Sequence, residues 1–147
     1  MSKITEHRPT ISRGFWLALA ANFVWINISE VWRYLYVVRP MLLEEKAGLS
    51  GIAPFDLTTF AIWSVWDTLL IVSCTAFFWM WFSLRGAGLQ QAMLAATSYA
   101  VTIFGLIWIG IANMGLASFQ FFWVATPFAW AEMAIAATMT AAIFRAS

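Results

Sequence analysis

The sequence predicts an all-α integral membrane protein: a four-helix bundle of two antiparallel helical hairpins with both termini cytoplasmic. Three observations carry this reading. Of 147 residues, 63% are hydrophobic and 10% charged, with a mean hydropathy of +0.80, whereas a soluble domain carries roughly a quarter charged residues. The few charges fall between apolar runs, each long enough to cross a bilayer at about 20 residues per span. Basic residues in the short connections are divided unequally between the two sides. The runs fill one membrane domain over 1–147 and leave no room for a soluble module.

The first helix is expected over about 14–38, stopping at Arg39-Pro40 because proline disfavours a helical residue before it. It is too long and too polar for a cleavable signal peptide, since it carries Asn22, Asn27, Glu30 and Arg33. A connection from Pro40 to Phe55 follows, in which "MLLEEKAGL" has the composition of a turn or two of interfacial helix. The second helix is expected over about 57–84, with Asp56 as its N-cap and Gly86 and Gly88 ending it. The third covers about 89–113 and the fourth about 118–144, with Ser118 as cap. Only Asn113-Met114-Gly115-Leu116 joins these last two, so they should form an antiparallel hairpin.

Orientation follows from the basic residues. Lys3, Arg8, Arg13, Arg85 and Arg145 flank one side; Arg39 and Lys46 flank the other, beside Glu44, Glu45 and Asp56. The expected location is the cell (inner) membrane.

Polar residues inside the spans form faces. At about 100° per residue, Asn22, Ser29, Glu30, Arg33 and Tyr36 fall within an arc of about 120° on the first helix, with Asn27 at its shoulder. Ser64, Asp67, Thr68, Cys74 and Thr75 share an arc on the second, and Ser98, Thr102, Gly105 and Asn113 align on the third. Charged side chains in a span face the bundle interior or a wet cavity, so each arc should point inward. Glu30 and Asp67 lie at nearly the same depth, with Arg33 one turn further out and Tyr36 beyond it. These placements predict a polar funnel, open to the extracytoplasmic side and floored by Glu30 and Asp67.

Glu132 sits near the middle of the fourth helix, about 140° from the small-residue stripe Pro127, Ala131, Ala134, Thr138 and Ala141. One of those faces should pack in the bundle, and the other should meet a second copy or a second pocket. Ala125-x-x-x-Ala129 and Ala134-x-x-x-Thr138 have the spacing of close-packing seams.

Glu30 and Arg33 are three residues apart and can neutralise each other, or Arg33 can clamp Asp67. One guanidinium cannot match Glu30, Asp67 and Glu132 together. At least one carboxyl group must therefore be protonated, bind a cation or face water. Of the ten tryptophans, Trp16, Trp63, Trp79, Trp81 and Trp123 lie near helix ends, where indoles anchor at headgroup level. Trp25, Trp32, Trp66, Trp108 and Trp130 lie deeper. They either fill the bundle or wall a pocket for an apolar or cationic ligand.

Several chemistries are excluded. Cys74 is the only cysteine and His7, in the N-terminal tail, the only histidine. An intrachain disulfide, a bis-histidine haem and a His-ligated metal within the bundle are thereby ruled out. No Ser–His pairing or glycine-rich phosphate loop supports hydrolysis or nucleotide use, and a net charge of +1 gives no basis for nucleic-acid binding. No cofactor is expected. The expected function is binding or transport of a small or lipid-soluble ligand at Glu30, Arg33, Asp67, Asn27, Tyr36, Trp32, Trp66 and Glu132. The alternative is a non-catalytic accessory or assembly subunit of a larger membrane complex. An intramembrane enzyme with Glu30 or Asp67 as acid/base ranks below both. The expected partners are the lipid bilayer and either a second copy or partner helices of a complex.

Overall fold

The structure, a computed structural model, describes residues 13–45, 56–115 and 117–147. Its described residues are helical with no strand, and four helices are long and apolar enough to cross a membrane. Helix α1 comprises Arg13–Arg33, a π-helical turn Tyr34–Val38 and a final segment Arg39–Glu45. Helix α2 is Leu57–Arg85. Helix α3 comprises Leu89–Tyr99, a π-helical segment Ala100–Gly105 and Leu106–Asn113. Helix α4 is Phe119–Ala146. His7, Lys46, the rest of the connection to Phe55, and Leu116 lie outside the described residues.

The first helix does not stop at Pro40, as the sequence predicts, but runs on to Glu45. The reason lies in the turn before the proline. The Arg39 N–H donates to Tyr34 O, five residues back, which widens the ladder just where a proline ring presses on the preceding turn and has no N–H to give. The second helix begins as expected: the Asp56 carboxylate accepts from the Thr59 N–H at 2.8 Å. That hydrogen bond holds the Asp56 carboxyl below its ordinary value. Gly86 ends the helix with φ 80°, a conformation that L side chains rarely adopt. Gly115, with φ 69°, makes the tight turn between α3 and α4.

Helix α4 packs against all three other helices. Small residues permit the close approach: Ala125, Ala129, Ala136, Ala137 and Ala141 on α4 are buried, as are Ala92, Ala95 and Ala96 on α3. The Thr138 hydroxyl returns to Ala134 O. The burial pattern is inverted relative to a water-soluble protein. Asn22, Arg33, Asp67, Thr75, Glu132 and Thr140 are buried, whereas Leu57, Ile62, Leu84, Trp123 and many other apolar side chains face outward. Such an arrangement suits a bilayer, in which outward leucine costs nothing and polar groups need partners inside.

Polar side chains tie the helices together. Asn22 Nδ2 donates to Thr75 Oγ1 at 2.9 Å and to Thr140 Oγ1 at 3.0 Å, joining α1, α2 and α4 at one point. Trp25 Nε1 donates to Glu132 O, and Trp130 Nε1 to Thr97 Oγ1. The Tyr99 hydroxyl contacts Leu70 O and Ser73 Oγ across α2 and α3. At one end of the bundle Arg145 donates to Ala87 O, and Gly14 lies against Ser147 and Trp79. At the other end Tyr34 meets Trp63, and Trp108 stacks on Phe121.

Candidate functional site

Four ionisable groups from three helices converge at one level. Glu30 and Arg33, one turn apart on α1, form an ion pair that is largely buried. The Arg33 guanidinium stands 6.0 Å from the centre of the Phe104 ring on α3, and its Nε–H is buried without an acceptor. Asp67 of α2 is 6% exposed, and with Asn27, Glu30, Trp63 and Ser64 it lines a narrow cleft of about 30 Å³. Glu132 of α4 is 2% exposed, and neither carboxyl oxygen receives a hydrogen bond. Asp67 and Glu132 are both within electrostatic reach of Glu30 and Arg33, and the Ser29 side chain faces Glu132 from α1. Three carboxyl groups thus share one guanidinium.

Beside this cluster lies a cavity of about 330 Å³, lined by Glu30, Arg33, Tyr34, Val38, Thr59, Trp63 and Trp108. Its aromatic walls are braced. The Tyr34 and Trp63 rings meet edge-on at 4.9 Å, and Trp108 lies parallel to Phe121 at 5.8 Å. The volume falls within the range of small-molecule sites, and the lining has their usual character, apolar with a few convergent polar groups.

The structure brings together Glu30, Arg33, Asp67 and Glu132, with Asn27 at the edge of the cleft. It does not bring Tyr36, Trp32 or Trp66 to the cavity. Tyr36 is 70% exposed, and Trp32 and Trp66 are also turned outward. The π-helical turn explains Tyr36: a wider turn advances each residue by a smaller angle, so positions beyond Arg33 slip off the α-helical projection. Tyr34 supplies the phenol at the cavity instead. Thr68 is exposed, and Ser64, also exposed, borders the cleft beside Asp67; both hydroxyls are satisfied on their own helix, by Ser64 O and Phe60 O respectively. Of the two faces of α4, the one that carries Glu132 packs in the bundle, with Glu132, Met133 and Ala136 buried. The small-residue stripe divides: Ala134 and Ala141 are buried, whereas Pro127 and Ala131 are exposed.

The cavity residues that the helical projection omitted are Tyr34, Val38, Thr59, Trp63 and Trp108. Thr59 and Trp63 do carry a signal, standing eight and four residues before Asp67 on the same helix face. Among the described residues, no group of three or more His, Cys, Asp and Glu side chains is arranged to hold a metal ion. Compared with known proteins, the chain matches no family model, and neither a curated protein nor a solved structure is significantly similar to it.

Proposed function

We propose that the chain is a small multi-pass membrane protein that binds or transports a small or lipid-soluble ligand in the cavity above Glu30 and Arg33. One observation carries the reading: a cavity of about 330 Å³ combines three aromatic walls with an ion pair at its base. The pair fixes a polar end of the ligand, and Tyr34, Trp63 and Trp108 cover its apolar body. Two antiparallel hairpins in one membrane domain are supported by the contacts of Arg145 with Ala87 and of Trp108 with Phe121 at opposite ends. The excess of basic residues beside Arg13, Arg85 and Arg145 supports cytoplasmic termini in a cell (inner) membrane, with the cavity opening to the other side.

The test uses fluorine NMR on the protein in lipid nanodiscs, with para-fluorobenzyl alcohol and para-fluorobenzyltrimethylammonium as probes. Thr59→Trp fills the cavity mouth. Saturable broadening of at least one probe by the native protein, lost in Thr59→Trp, is the expected result. Broadening that is equal in both proteins overturns the proposal.

A second reading, an accessory subunit of a membrane complex, is favoured by one feature. Trp32, Tyr36 and Phe128 form an outward-facing aromatic cluster, with ring centres 6.0 and 6.1 Å apart. Purification in mild detergent at native expression tests it: a co-purifying chain lost in Trp32→Ala supports that reading, and a lone protomer or homodimer counts against it.

A further inference from the structure

The Glu132 side chain is the most constrained ionisable group of the cluster. It is 2% exposed and its two oxygens receive no hydrogen bond. The groups that face it are Glu30, Arg33 and Ser29 from α1, and Asp67 and the Cys74 thiol from α2. Tyr99, the titratable group of α3 in this layer, turns its hydroxyl to Leu70 O and Ser73. Two of the facing groups are carboxyls, and the one cation is already paired with Glu30. A bare anion in such a place, with the Ser29 hydroxyl facing it but no cation of its own, is untenable. It needs one positive charge of its own, and a proton is the one that fits without ligands.

Arg33 is placed to supply that charge instead. Its Nε–H is buried and unpaired, and it lies within electrostatic reach of Glu132 as well as of Glu30. Its backbone stands at the point where α1 becomes π-helical, and the Phe104 ring facing it lies within the π-helical segment of α3. Such wide turns interrupt the regular ladder and frequently mark functional positions. The cavity, for its part, presents the Glu30–Arg33 pair among aromatic faces, and those faces favour a cation that can replace Arg33 beside Glu30.

We infer that Glu132 holds an exchangeable proton, released when an organic cation enters the aromatic cavity and takes Glu30 from Arg33. This rests on the ligand-binding reading above and names the ligand class, a small lipophilic ammonium ion. The exchange balances. The cation pairs with the Glu30 carboxylate, Arg33 turns to Glu132, and the Glu132 O–H bond breaks. The proton leaves by way of Asp67 and the cleft that it lines, and the summed charge of the site is unchanged.

The experiment adds para-fluorobenzyltrimethylammonium to the protein in weakly buffered nanodiscs. Probe binding is read by fluorine NMR and proton release by an indicator dye, and infrared difference spectra report the protonated-carboxyl band. The native protein releases a proton for each probe cation bound and loses a carboxylic-acid band. Glu132→Gln still binds para-fluorobenzyl alcohol, binds the cation more weakly because Arg33 is left without a counter-charge, and releases no proton. Glu132→Asp keeps the release and shifts the band, which identifies the group even if Glu132→Gln fails to fold. Cation binding without proton release, or undiminished release in Glu132→Gln, overturns the inference and leaves the ligand-binding reading intact. Failure of both the cation and para-fluorobenzyl alcohol to bind overturns both.

Discussion

Arg33 stands 6.0 Å from the centre of the Phe104 ring, and both residues occupy places where a membrane-spanning helix changes to a π-helical turn. This contact links α1 to α3, while the ion pair with Glu30 keeps the guanidinium charge balanced within α1. The arginine is therefore held by an aromatic face and a carboxylate, with one N–H left over.

The Phe104 contact has a measurable share in stability. A cation over an aromatic face gives about 0.5–2 kcal/mol, more when desolvated. Phe104→Leu keeps the apolar bulk and removes the ring face, so it should destabilise by roughly that amount. The loss should vanish when Arg33 is replaced by Met, as a double-mutant cycle in bicelles would read.

The Glu30–Arg33 pair should behave as a buried pair. Arg33→Met alone leaves three carboxyl groups without a cation and should cost about 3–5 kcal/mol. Adding Glu30→Gln to it should recover much of the loss. Equal unfolding midpoints for the native protein and Arg33→Met would show that the pair is solvated.

Asn22 is the polar tie of the other half of the bundle. Asn22→Ala removes two hydrogen bonds, to Thr75 and Thr140, and leaves a small void. Intramembrane hydrogen bonds average about 0.6 kcal/mol each, and with the lost packing the expected cost is roughly 1–3 kcal/mol. Ligand binding at the Glu30 cavity should be unaffected, because Asn22 does not line it.

The Asp56 cap predicts an acid-side effect outside the membrane. Its carboxyl is held below the ordinary 3.8 by the Thr59 N–H, so its contribution is present above that pH and is lost as the pH falls through the lower folded value. Protection of the Thr59 amide, measured against the exchange of an unstructured chain at the same pH, should therefore fall in the native protein on acidification below 3.8. Asp56→Ala should show the lower protection at every pH.

The sequence made the four spans legible because apolar length, caps and glycine punctuation act locally. Asp56 and Gly86 are found at the ends assigned to them. The common level of Glu30 and Asp67 was legible for a similar reason, since neither carboxyl has a tolerable place in lipid. The helical projection leaves open whether Glu132 packs in the bundle or meets a second copy. What could not be read depended on turn geometry and packing. A projection at a fixed angle takes no account of the π-helical turns, which carried Tyr36 outward and let the helix pass Pro40. Nor does it show that Ser64 and Thr68 satisfy themselves on their own helix. Trp63, assigned to the headgroup level by its nearness to a helix end, lines the cavity because it lies four residues before Asp67 on the same face.

The central claim is that the space bounded by Glu30, Tyr34, Trp63 and Trp108 is a ligand site. Crystals grown in lipid with para-bromobenzyltrimethylammonium and with para-bromobenzyl alcohol test it most directly, through the anomalous signal of bromine. A bromine peak between Trp63 and Trp108, weakened for the ammonium probe in Glu30→Gln, is the predicted result. Bromine found solely on the lipid-facing surface, near Trp32 or Trp66, would contradict the account.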